Sequence, residues 1–162
     1  MDYDLGLLVL RLALGPMLIA HGWNKVFGSG GIQGTTSWFA QLGLRPAWLH
    51  ARFAAVAEIG AGLLLTIGFM IHFACALCIS LMVVAALTDH RGKGYFIFKG
   101  GSEYVSMVSM VAVVIAALGP GRWSVDYVLG FDDWAGTGLA LGTAAVGIFA
   151  ALGFWRLASS SS

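Results

Sequence analysis

The sequence predicts an all-α, polytopic membrane bundle of four core transmembrane helices plus a fifth. Three observations carry that prediction. Of 162 residues, 59% are hydrophobic and only 10% are charged, too few charges for a soluble surface. The apolar residues gather in runs close to the roughly 20 residues that a bilayer-spanning helix needs. Ionisable residues are few within those runs, and in hydrocarbon they are costly unless they face the bundle interior or a partner. The runs are Leu5–Val26, Arg52–Phe69, His72–Thr88, Glu103–Leu118 and Gly136–Trp155. One transmembrane domain over residues 1–158 follows, with a flexible serine tail at 159–162. The start, Met-Asp-Tyr-Asp, is acidic, and the first run is too long for a signal-peptide core, so it reads as a span. A net charge of +1 gives no reason to expect nucleic acid as a partner.

Span one contains Gly15-Pro16, and a proline there removes a backbone donor and kinks the helix. Arg11, Gly15, Leu18, Gly22 and Lys25 share one face, where the small residues let a second helix approach closely. The segment from Phe27 to His50 is first Gly-rich, then aromatic at Trp38, Phe39 and Trp48, which suits the membrane surface. Its glycines do not form a phosphate loop, because no Lys-Ser/Thr follows them. Span two places Glu58, Gly62, Leu65 and Phe69 on one stripe. Span three is apolar apart from His72, Cys75, Cys78 and Ser80, and the turn before it at Met70–Ile71 is its least marked boundary. The loop that follows, from Asp89 to Phe96, is basic and aromatic. Span four opens on Glu103 and carries Ser102, Ser106 and Ser109 along one side. Span five has no ionisable residue. Its Gly138, Gly142 and Gly147 are spaced for close packing, so it is expected on the flank of the bundle or against a partner.

Orientation follows from the cations in the short loops. With the N-terminus outside, Lys25, Arg45, Arg52, Arg91, Lys93, Lys99 and Arg156 fall on the cytoplasmic side. Arg122 alone falls outside, beside Asp126, Asp132 and Asp133. The C-terminus is then cytoplasmic.

Three stretches in this order resemble the DoxX family of small bacterial membrane proteins. They are Arg11-Leu-Ala-Leu-Gly15-Pro-Met-Leu-Ile-Ala-His21-Gly22-Trp-Asn-Lys25, then Ala57-Glu58-Ile-Gly60-Ala-Gly62-Leu-Leu-Leu, then Gly100-Gly101-Ser-Glu103-Tyr104. The last continues to Gly119-Pro120-Gly121-Arg-Trp-Ser-Val-Asp126. The likeness covers roughly residues 5–130 and implies a four-helix membrane bundle in the bacterial plasma membrane, from which the fifth span departs. It also implies a redox neighbourhood. The family is associated with terminal-oxidase and thiosulfate:quinone oxidoreductase systems, and with membrane complexes that handle oxidative and thiol stress. The implied role is a subunit, catalytic or not, of a membrane oxidoreductase complex.

The residues themselves offer one candidate site. His21, Lys25, Glu58 and Glu103 fall in one layer near the cytoplasmic side, whereas Arg11 lies about 21 Å from Lys25 along span one. Arg11 is placed to reach the outer headgroups or Asp126, and with Glu103 to hold the helices together. The layer suits a polar pocket for a lipid or quinone headgroup, since quinone carbonyls accept hydrogen bonds and their reduction needs protons. The reading that the residues favour makes Lys25 and Glu58 an interhelical pair that fixes register, with His21 reaching for the interface, since membrane bundles use buried polar residues for association too. Cys75-Ala-Leu-Cys78 has the spacing of a redox pair. Two small side chains packed in a span are the favoured reading, because a continuous helix fits an intrahelical disulfide poorly and no second thiol pair exists. His72, Cys75 and Cys78 would be one ligand short of a metal site, so no metal is expected.

The functional expectation is a DoxX-like membrane subunit of a quinone-linked redox or oxidative-stress assembly, with quinone as the candidate cofactor. Its partners would be the bilayer and other redox subunits or further copies of itself. The competing readings are a non-catalytic scaffold or assembly protein, and a transporter of small solutes or lipid.

Overall fold

A computed structural model describes residues 2–159, and among them it shows helices and no strand. The helices are α1 (Asp2–Phe27), α2 (Gly31–Gln41), α3 (Ala47–Ile67), α4 (Ile71–Leu87), α5 (Glu103–Leu118), α6 (Val125–Val128) and α7 (Thr137–Ser159), with a short 3-10 turn at Ile97–Lys99. The protein is an all-helical membrane bundle. α1, α3 and α7 are each long and apolar enough to cross a bilayer. α4 and α5, at 17 and 16 residues, are shorter.

Four of the five expected runs match their helices within a few residues. α3 starts at Ala47 rather than at Arg52, because Pro46 precedes it and proline suits the entry to a helix. The surface segment is partly helical: Gly30, at φ 88°, lets the chain turn back into α2. The tail expected at 159–162 begins inside α7, since Ser159 is helical; residues 160–162 lie outside the described residues.

Consecutive long helices alternate in direction, so the loop cations collect at one end, hereafter the basic end. α1 and α3 make the closest pairing. A methyl group built on Gly62 would lie 2.5 Å from the Gly15 carbonyl oxygen, and one on Gly22 would lie 2.7 Å from that of Ala55. The expected small-residue face of span one is therefore the contact with α3. The core lies among α1, α3, α4 and α5, where Leu14, Leu18, Leu65, Ile79, Val108 and Ile115 interlock.

α7 joins this bundle rather than standing apart, packing along α4 and α5. Of its three glycines only Gly147 makes the close approach: its methyl would lie 2.7 Å from Ala76 O, whereas Gly138 and Gly142 face open space. The spacing alone could not show which glycine the crossing point would select. At the basic end Arg45 N–H donates to Ala158 O at 2.9 Å. There Phe39, Leu44, Ala51 and Ala158 form a second core that ties α2, α3 and α7 together.

The opposite end is locked by Asp126. Its Oδ1 and Oδ2 accept the Met70 and Ile71 backbone N–H groups, each at 2.9 Å, while its own N–H donates to Gly68 O at 3.0 Å. The carboxylate thereby serves orphan donors at the start of α4, where the helix dipole also favours negative charge. This contact fixes the tight turn at residues 68–70, in which Gly68 and Met70 both have positive φ. Asp126→Ala is expected to destabilise the protein by about 2 kcal/mol, since one buried and one part-buried donor would lose a charged acceptor. Thermal unfolding in bilayer particles would read it; an unchanged transition would remove Asp126 from this role.

Candidate functional site

At the basic end the helices leave a cavity of about 510 Å³. α1 contributes His21 and Lys25, α3 contributes His50, Phe53, Ala54 and Glu58, and α4 lines the floor with Phe73, Leu77, Ser80 and Leu81. α5 adds Tyr104, α7 adds Val146, Gly147 and Phe154, and α2 closes the basic end with Trp38 and Phe39. The closure is built from sequence: Thr35 Oγ1 donates to Lys25 O at 2.8 Å, folding α2 back across the last turn of α1. Phe53, Phe73 and Val146 are each more than half exposed, so the cavity opens sideways through the flank of the bundle.

Its polar end is organised around one ion pair. Lys25 Nζ donates to both carboxylate oxygens of Glu58, at 2.8 and 2.7 Å. Both side chains are largely buried, and the pair joins α1 to α3. The two charges cancel within the wall. His21 lies beside the pair, with its ring centroid 6.2 Å from that of Tyr104 and its Nε2 3.5 Å from the Tyr104 hydroxyl. That hydroxyl donates to Met17 Sδ at 2.7 Å, and a thioether is a weak acceptor. A better acceptor entering the cavity would draw it away. His50 completes the polar rim, with Nε2 3.1 Å from Arg45 O and its ring edge-on to Phe154.

His21, Lys25 and Glu58 are thus brought together as the sequence suggests. Glu103 does not join them. Its Oε2 accepts the Ile97 N–H at 2.9 Å, bracing the loop before α5. Arg11 goes to the opposite end of the bundle, where it is fully buried, packs against Gly68 and donates to Trp123 O close to Asp126. It holds α1 to the segment between α5 and α6 and does not reach out to headgroups. Cys75 and Cys78 are free thiols, fully buried in the apolar core. His72 contacts Ala116 O at 3.2 Å. Among the described residues no three His, Cys, Asp or Glu side chains gather as metal ligands would. The hydroxyls of Ser106 and Ser109 turn back to the Ser102 and Val105 carbonyls, each at 2.8 Å, as serines do inside helices.

Sequence reasoning gave no site role to Tyr104 or to His50. Tyr104 lies one residue after Glu103 in a stretch noticed for other reasons, and a helix wheel for α5 does not reveal that α1 lies opposite. His50 precedes the expected start of span two, so its place one helical turn inside α3 was hidden by the boundary.

Comparison with known proteins bears on the same helices. The chain is 27% identical over 128 residues to the inner membrane protein YphA of Escherichia coli (strain K12), covering 74% of this chain and 87% of that protein. No solved structure matches it. The model of the DoxX family matches residues 6–91, from α1 to just beyond α4, and so takes in His21, Lys25, His50 and Glu58. That match stops before Tyr104 and Asp126, so the stretches noticed after residue 100 lie outside it. With more than half of its length matched, including the polar end of the cavity, the chain belongs to the DoxX family.

Proposed function

We propose that this protein binds a quinone in the cavity at its basic end, as the membrane subunit of a quinone-linked redox or oxidative-stress assembly. The observation that carries this reading is the pairing of a neutralised polar end with an apolar, laterally open groove. Lys25 and Glu58 cancel, so the site offers hydrogen bonds rather than net charge. An anionic phospholipid phosphate would find no surplus cation there, whereas a quinone ring needs only donors. The Tyr104 hydroxyl and the His21 imidazole would supply them to the ring carbonyls, with Phe53, Leu77 and Phe154 receiving the tail. The quinone brings the two-electron chemistry; the residues bind and orient it, and His21 is positioned to hold a proton.

In this reading all five long helices cross the bacterial plasma membrane, with the basic end cytoplasmic and the N-terminus outside. The inner-membrane description of the Escherichia coli relative supports that location. Electrons would come from a partner oxidoreductase subunit, and further copies of the chain are the other candidate neighbour.

The test is purification in native-lipid particles followed by extraction and quantification of quinone. A stoichiometric quinone is expected, and His21→Ala combined with Tyr104→Phe should weaken its binding about thirtyfold, given about 1 kcal/mol for each lost hydrogen bond. Ordinary phospholipid alone, with the bundle folded, would overturn the quinone site and favour a scaffold or transport role.

A further inference from the structure

The loop between α4 and α5 has features that no connecting loop in water requires. Tyr95, Phe96, Ile97 and Phe98 form four consecutive exposed apolar residues, with Phe98 77% exposed. The Phe96 and Phe98 rings stack at 5.3 Å. Arg91, Lys93 and Lys99 flank them. Lys93 lies 3.3 Å from Asp89, while Arg91 and Lys99 pair with no carboxylate among the described residues.

Part of the backbone of this loop is paired within the chain. Lys99 N–H donates to Phe96 O, Gly101 N–H to Phe96 O, Ser102 N–H to Gly94 O and Glu103 N–H to Tyr95 O, at 2.8–3.1 Å. Ile97 N–H has no backbone acceptor in that set, and the Glu103 carboxylate supplies one at 2.9 Å. His90 Nδ1 lies 2.7 Å from Gly100 O, which closes the base of the loop. Backbone groups must be satisfied internally where water is scarce.

Helix length gives an independent reason to place the loop at that depth. α4 and α5 have 17 and 16 residues, so they span about 26 and 24 Å, against a hydrocarbon core of about 30 Å. If both helices cross, the remaining few ångströms fall to the segments at their ends, and the apolar tip of this loop is one segment suited to them.

We propose that residues 91–99 form an anionic-lipid anchor, in which the aromatic tip enters the leaflet while Arg91, Lys93 and Lys99 hold anionic phospholipid headgroups. Glu103 is its positioning residue, keeping Ile97 N–H satisfied while the tip faces lipid. The anchor rests on the five-span topology and not on what occupies the cavity.

The full chain carrying Phe98→Cys with a nitroxide label, placed in bilayer discs of phosphatidylcholine and phosphatidylglycerol, tests insertion. Cys75 and Cys78 are buried, and the unsubstituted chain shows any background labelling. The label is expected to collide freely with dissolved oxygen and to be shielded from a water-soluble nickel chelate. After extraction of the protein from the same discs into detergent, Arg91→Gln together with Lys99→Gln should lower the ratio of co-purifying phosphatidylglycerol to phosphatidylcholine, read by mass spectrometry, about fivefold. A chelate-accessible label would overturn the anchor and leave the aromatics as a surface for a soluble protein. An immersed label with an unchanged lipid ratio would overturn the recognition of anionic headgroups. Quinone occupancy is unaffected by either result.

Discussion

Glu58→Ala is expected to lower the stability of the bundle by about 3–4 kcal/mol, because it leaves the Lys25 ammonium largely buried without its carboxylate. Lys25→Met in the same chain should restore much of that loss, since an apolar pair of similar volume is often as stable as a buried ion pair. The double variant therefore separates two roles that a single substitution confounds. With the fold restored, its quinone content reads the chemistry of the site alone. Loss of quinone from a stable double variant would mean that the pair shapes or polarises the headgroup site. Retention would make Lys25–Glu58 a register lock between α1 and α3, and would leave His21 and Tyr104 as the groups that matter to the ligand. Unfolding transitions of the single and double variants in identical bilayer particles provide the stability axis. A Glu58→Ala protein as stable as the parent would show that Lys25 finds water or lipid phosphate instead, and would sink the buried-pair description.

The second large effect concerns glycines that look alike in sequence. Gly62→Leu should destabilise the protein by about 3 kcal/mol or prevent assembly, since its first added carbon already lies 2.5 Å from the Gly15 carbonyl and 2.7 Å from Ile19. The obstruction is partly backbone, so no rotamer relieves it. Gly142→Leu meets nothing within 4 Å and should change stability by no more than about 0.5 kcal/mol. The pair of variants, compared by unfolding and by yield of folded protein, tests the helix packing directly. Equal damage from both would mean that the outer face of α7 is covered by another chain.

That contrast also shows what the sequence could and could not disclose. Runs of apolar residues fix where helices lie, because hydrocarbon tolerates few alternatives, and the five long helices were readable to within a few residues. The face of α1 bearing Arg11, Gly15, Gly22 and Lys25 was readable too, since helical periodicity places side chains on a common side. Which helix answers that face is a question of three-dimensional packing, and periodicity does not address it. Hence Lys25 and Glu58 could be named as a pair, while Tyr104 went unnoticed on α5. Glu103 was misplaced for a related reason. Its depth matched the polar layer, but a carboxylate at a helix start is also the nearest acceptor for orphan backbone donors, and here Ile97 N–H claims it. The glycines of α7 carried the right spacing and no indication of where the crossing point falls.

The lock at the far end of the bundle has a consequence for the order of synthesis. Arg11 emerges 112 residues before Trp123, whose carbonyl it will hold. At translation rates of about 5–20 residues per second, that interval is on the order of ten seconds. Throughout it α1 carries a cation whose final acceptor does not yet exist, and the turn before α4 lacks the Asp126 carboxylate that fixes it. The nascent chain must therefore keep Arg11 near headgroups or within the insertion machinery until the segment after α5 arrives. A chain interrupted before residue 123 would retain the whole family-matched region and still expose an uncompensated charge in its first helix. Completion of the protein thus supplies the acceptor that this charge lacks until the segment after α5 is made.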